Sequence, residues 1–420
     1  MSEVVDRSVA ETAFWHGQAH MPSVRGRELV IVKGKGSYVW TEDGDRLFDA
    51  TASLWYCNIG HGREEVGDAV TAQMRELEAY HTFANFSNRP AEQLTRRLQQ
   101  MAPIEDARIF LSSGGSDSVD AAAKLARRHW AHHGAPGKHI VVSRRNAYHG
   151  LHAFGTSLSG MEALRDGYGG DLVADTALVD TNDAGSLAKL ISDVGAESIA
   201  AFFCEPVIGT GGIIPPAPDY LRSVQELCRD NDILFVVDEV ITGFGRLGSM
   251  FASERFGLEP DAIIFAKGVT SGYLPLGGLM IAPRLWRPFW EGEDAPIFRH
   301  GLTYGGHPAC CAAGLANLDI LESEKLSDGV AAIEAEFAQI FQGLGDLEAV
   351  TEVRTIGFLA GIELLDYDLA ARVASAAIDR GLILRALPSG TLQVSPPLIA
   401  GAAELELASA TIRDLVLAES

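Results

Sequence analysis

Five short apolar runs constrain this chain more than any other feature. They are ARIFLSS (107–113), KHIVVS (138–143), SIAAFFCEP (198–206), ILFVVDEV (233–240) and AIIFAK (262–267). Each is apolar nearly throughout instead of alternating, as a strand must be when both faces of its sheet are covered. Between and around them lie stretches with helical periodicity, at 62–79, 91–100, 117–133, 185–194 and 218–231. Strands alternating with helices predict an α/β domain with a mostly parallel sheet. Upstream, LVIVKGKGSYVWTEDGDRLFDATASLWY (29–56) reads as short strands with a hairpin turn at Asp43-Gly44. Downstream, two helices at 308–324 and 326–344 precede a strand and helix pattern that runs to the end. We expect a smaller α/β domain made from residues 1–55 and 311–420, flanking a large domain of residues 56–310.

Charge removes several function classes. Asp and Glu number 56 against 34 Lys and Arg, a formal net charge of −22. Such a chain repels phosphate backbones, so no nucleic acid partner is expected. Its five cysteines are odd in number and show no CxxC spacing, which argues against a disulfide framework or a structural zinc. The N-terminal MSEVVDRSVAETAFWHG lacks the basic-then-apolar order of a secretory signal, and no apolar stretch approaches the roughly 20 residues of a membrane span. The expectation is a cytoplasmic protein with no membrane partner.

In open α/β sheets, ligands bind outside the carboxyl ends of the strands. Polar residues collect there. SGGSDS (Ser113–Ser118) is a glycine-rich turn into a helix, where Gly115, Ser116 and the first N–H groups suit an anion; the plainer alternative is a helix cap by Ser113 or Ser116. The same loop also resembles that of adenylating ATP pyrophosphatases, a different reaction class. Tyr148 and His149 follow one strand, where an aromatic could stack on a flat ring or sit in the core. Glu205 ends another strand before a glycine-rich loop. Asp238 and Glu239 end a third; with no further ligand at metal spacing, Asp238 suits a protonated heterocycle nitrogen better than a metal. Lys267 closes a fourth, either pointing its ammonium into water or serving as a desolvated, reactive amine. A phosphate cup, a stacking aromatic, a carboxylate for a ring nitrogen and an amine for a carbonyl together match pyridoxal 5'-phosphate (PLP).

With these residues in view, the chain resembles the class III aminotransferases, PLP enzymes of fold type I, over nearly its whole length. The resemblance rests on GSYVWTEDGDRLFDATASLW, SGGSDSVDAAAKLAR, AYHG, CEPVIGTGG, DEVITGFGRLG, AKGVTSGYLPLGG and GLTYGGHP. It implies that Lys267 carries the cofactor as a Schiff base and shuttles the proton, while Asp238 keeps the ring nitrogen protonated. Val240 and Tyr148 would cover the two ring faces. Gly115 and Ser116 would hold the phosphate, with Glu205 also at the cofactor. Thr303 would reach the phosphate of a neighbouring subunit, which implies a homodimer with a shared active site, or a tetramer built from it.

The departures are informative. Asp117 stands where the family has Glu in its SGSEA or SGTEA loop. Thr210 and Ile241 replace the Glu and Gln of the ornithine and 4-aminobutyrate branches. Both favour the amine:pyruvate or ω-transaminase branch, in which an amino group passes from a primary amine or ω-amino acid to a keto acid such as pyruvate. There Arg385 would swing in for the keto-acid carboxylate, and Trp55 and Phe83 would line the substrate pocket. Phe83-Ala84, where relatives often carry two aromatics, implies a roomier one. A class III aminomutase, decarboxylase or racemase would share the cofactor residues.

Overall fold

A computed structural model describes residues 13–420; the start of the expected N-terminal segment lies outside the described residues. The five apolar runs are strands Arg108–Ser112, Ile140–Arg144, Ile199–Cys204, Leu234–Asp238 and Ala262–Phe265. They join two further strands, Thr176–Val179 and Gly277–Ile281, in one seven-stranded sheet. Across the sheet the order is 108–112, 277–281, 262–265, 234–238, 199–204, 140–144 and 176–179. Strands from 262–265 to 176–179 pair in parallel, and 277–281 pairs antiparallel with both neighbours. The sheet is therefore mostly parallel with one reversed strand.

The reversed strand was hidden in the sequence by its glycines, which read as a turn. Inside the sheet they have a packing reason. A Cβ on Gly278 would lie 2.4 Å from the Phe110 carbonyl and 2.6 Å from the Phe265 ring, so only glycine fits. Thr176–Val179 escaped notice because it is a short, half-buried strand at the sheet's end.

Helix Gly115–His132 covers one face of the sheet with Val119, Ala122, Ala126 and Trp130, an i, i+3/i+4 stripe. The indole N–H of Trp130 donates to the Ala200 carbonyl, satisfying the polar end of a buried aromatic. On the other face, helix Pro308–Ser323 packs against Glu64–Glu76 and Arg89–Met101. Two smaller sheets flank this core. Strands 31–35, 38–41 and 46–49 form a meander turned at Asp43-Gly44, and Leu382–Ile383 from near the C-terminus joins it in parallel. Strands 350–356, 359–364, 391–394 and 385–386 form the second. The N-terminal meander thus pairs directly with the C-terminal segment.

Candidate active site

The carboxyl ends of the parallel strands share one rim, and a cavity of about 370 Å³ opens there. Gly115, Ser116, Tyr148, Glu205, Asp238, Val240 and Lys267 all line it. These residues span more than 150 positions of sequence and meet because each follows the end of a parallel strand or the 108–112 strand beside them.

Lys267 leaves strand Ala262–Phe265 through a single 3-10 turn with φ of +46°, a left-handed conformation rare for a side chain with a Cβ. Burial lowers its amine from 10.5 to about 8, against the opposing pull of Asp238 and Glu205. A substantial neutral fraction near neutral pH is what a nucleophilic amine requires.

Asp238 is 5 % exposed. Its Oδ1 accepts the Val240 N–H at 3.1 Å, and its Oδ2 accepts from His149 Nδ1 at 2.8 Å. The histidine side chain is fully buried, and its Nε2 has no partner among the described residues. The sequence places His149 beside Tyr148 after a strand end but gives it no role; both residues line the cavity, and His149 also holds the Asp238 carboxylate. Glu205 has a comparable anchorage, accepting from Tyr148 N and Gly209 N at 3.0 Å each. Burial raises its pKa, with His149 opposing. Glu239, next to Asp238, turns away and accepts from Ala252 N, Ser253 N, Ser253 Oγ and Thr242 Oγ1.

The anion cradle is the N-terminus of helix Gly115–His132. A Cβ on Gly115 would press on Val240 at 3.1 Å. Ser116 Oγ accepts from Leu151 N at 3.1 Å, tying the cradle to the Tyr148 loop. Gly150 permits this approach, because a Cβ there would lie 2.4 Å from Ser116 Oγ. Asp117, the departure from the family loop, points back to accept the Ser113 N–H and does not line the cavity.

Four expected residues fall outside this lining. Trp55 is 2 % exposed and packs behind the cavity in a cluster with Val207, Ile213 and the lining residue Ile241. Left-handed φ values at Ala52, Ser53 and Trp55 twist the segment, so Leu54 and Tyr56 face the cavity instead. Phe83 lies half-exposed on a separate cavity of about 1000 Å³ with Phe86, Phe298 and His300. Thr303 is exposed on the loop bordering that second cavity. Arg385 lies near enough to Tyr148 and Lys267 to act on both electrostatically; burial lowers its pKa and the tyrosine opposes this.

The donor set fits PLP. It offers a desolvated amine for the aldehyde, a carboxylate backed by a histidine for the ring nitrogen, and helix N–H groups for the phosphate. An apolar side chain, Val240, and an aromatic, Tyr148, remain for the ring. The lysine belongs to this set and not to a nucleotide loop, which leaves the adenylating alternative without support.

Comparison with known proteins agrees. The sequence pattern of aminotransferase class III matches residues 21–416, and the chain belongs to that family. It is 36% identical over 406 residues to a putrescine–pyruvate aminotransferase of Pseudomonas aeruginosa, covering 90% of this chain and 88% of that one. An omega-aminotransferase of Caulobacter vibrioides is 33% identical over 424 residues, covering 96% of each chain. The solved structure of an amine transaminase from an uncultivated Pseudomonas species in PLP-bound form superposes with a TM-score of 0.93 at 35% identity, over 98% of this chain and all of that one. The protein is an aminotransferase of PLP fold type I.

Proposed function

We propose that this enzyme moves an amino group from a primary amine or ω-amino acid to a keto acid such as pyruvate. The observation that carries this reading is the wall of the Lys267 cavity. Leu54, Ile241, Leu274 and Leu276 make it largely apolar, while Arg385, outside the lining, is near enough to act electrostatically on Tyr148 and Lys267. An apolar wall suits an amine without a carboxylate. A reachable arginine suits the carboxylate of the keto acid. The names of the relatives from Pseudomonas aeruginosa and Caulobacter vibrioides support the same pairing.

When bound, PLP supplies the electron sink that makes a substrate C–H bond acidic. The remaining work falls to the chain. Lys267 would hold the cofactor and, once released by the incoming amine, carry the proton at Nζ as base and then acid. Asp238 would keep a proton on the ring nitrogen, and His149 would hold Asp238 aimed through its Nδ1. Gly115 and Ser116 would bind the phosphate, Glu205 would sit at the cofactor, and Val240 and Tyr148 would hold the ring flat.

The second subunit is part of this reading. Thr303 and Phe83 do not line the Lys267 cavity of their own chain; Phe83 lines the larger aromatic one, and Thr303 follows its lining residues Gly301 and Leu302. We infer a homodimer in which they complete the partner's site. A cytoplasmic setting is proposed with it; among the described residues no helix is long and apolar enough to cross a membrane.

The test is the visible spectrum of purified protein before and after L-alanine, with pyruvate measured. Loss of the yellow band with pyruvate release is expected. K267A should abolish both, and full turnover in K267A would refute the site. R385A should impair keto-acid use more than apolar amine use; equal loss would reject its role.

A further inference from the structure

Helix Pro308–Ser323 turns an almost wholly apolar face to the core, with Cys311, Ala313, Leu318 and Leu321 buried. Asn317 interrupts that face and is fully buried. A polar amide in such a place is costly unless its bonds are made. All of them go to one target. Asn317 Nδ2 donates to the Gly268 and Val269 carbonyls, each at 2.9 Å. Its Oδ1 accepts from Ser271 Oγ at 2.6 Å, and Ser271 Oγ in turn accepts from Ile59 N at 3.2 Å.

The target is the turn that carries Lys267. Two of its non-glycine residues, Lys267 at φ +46° and Ser271 at φ +49°, hold left-handed conformations. Such conformations persist where the surroundings over-determine them. Of the turn's own bonds, Val269 N to the Ala266 carbonyl is 3.1 Å, while Thr270 N to the Lys267 carbonyl and Ser271 N to the Gly268 carbonyl stretch to 3.3 and 3.4 Å. On its far side Gly268 packs so closely that a Cβ would lie 2.7 Å from Asn58 Nδ2. The turn is thus pinned between Asn58 and Asn317, and the firmer hydrogen bonds come from Asn317.

We propose that Asn317 is a positioning residue for Lys267: from a helix outside the cavity, it fixes the strained backbone from which the reactive amine reaches the cofactor. This rests on the reading of Lys267 as the cofactor-bearing lysine. The role differs from support of the fold at large, because none of its three bonds reaches beyond residues 268–271.

The experiment uses holoenzyme of wild type, N317L, S271A and K267A. It measures kcat and KM for the amine, the rate at which stripped protein regains its visible band on adding PLP, and thermal stability. N317L keeps the side chain's bulk, removes the Val269 carbonyl's donor and leaves the Gly268 carbonyl only the long bond from Ser271 N. Its kcat should fall about 10²-fold and its band recovery should slow, with KM little changed, as for a displaced reacting group. S271A removes one of the three Asn317 bonds, together with the acceptor of Ile59 N, and should show the same pattern to a smaller degree; it decides the matter should N317L not fold. Loss of thermal stability with kcat and band recovery unchanged in the folded variants would overturn the proposal. K267A separates the two layers. If K267A takes up PLP and turns over as wild type does, the reading of Lys267 fails first. If only K267A is impaired, that reading stands and the role of Asn317 is refuted.

Discussion

Asp238 and Glu239 are consecutive carboxylates at the end of one strand, and they do opposite things. Asp238 faces the cavity, with His149 and one backbone N–H holding two of its lone pairs and the rest open to a ligand. Glu239 faces the core with its oxygens fully engaged by the start of segment Ala252–Phe256 and by Thr242. Burial raises Glu239 to about 7 in spite of those four donors. The difference teaches that a carboxylate at a strand end is functional where bonding capacity is left over, and structural where none remains.

Substitutions should break the pair apart in different observables. The largest effect should come from D238N, which keeps size and removes charge. We expect kcat to fall by about 10²–10³-fold, the scale of a lost electrostatic contact at a reacting group, with PLP partly retained. Steady-state kinetics and the visible spectrum check it. Next is E239Q, which presents an amide to backbone N–H donors. It should lose about 2 kcal/mol of stability in urea titration, the cost of buried groups left unpaired, while the folded enzyme keeps its kcat. Activity loss there without a stability loss would erase the distinction between the two carboxylates. H149F tests what stands behind Asp238. Removing one charge-assisted bond should lower kcat about tenfold and leave PLP bound.

The last prediction concerns Lys267 without cofactor and is read in stability alone. Its folded pKa of about 8 lies below the 10.5 of the free side chain, so the unfolded chain binds more protons between those values. Stability of the cofactor-free protein should therefore rise as pH climbs from about 8 to 10.5. K267M removes the buried charge. It should melt higher than the cofactor-free wild type at pH 7, with the gap closing over that window. A constant gap across the window would mean that the lysine is not desolvated.

Much of this was legible in the sequence for a physical reason. Continuous apolar runs, helical periodicity and glycine-rich turns act locally, so they revealed five of seven strands, the covering helices and the anion cradle. Because the carboxyl ends of parallel strands lie on one rim, Lys267, Asp238, Glu205 and Tyr148 could be assembled before any coordinates. Other features depend on directions in space. Gly277 and Gly278 lie inside a strand, where a Cβ would strike the Gly114 backbone at the first and the Phe265 ring and Phe110 carbonyl at the second. Trp55 matched a motif by position, yet left-handed backbone around it sends Leu54 and Tyr56 into the cavity.

Periodicity and residue type act over a few positions, so the class of fold, the cofactor chemistry and the residues ending at the sheet's rim can be read from the chain alone. Folding in three dimensions sets which of two adjacent carboxylates faces the cavity, that His149 bonds Asp238, and that Asn317 reaches the Lys267 turn from 50 positions away. Those choices depend on side-chain direction and on long-range hydrogen bonds, which no local pattern encodes.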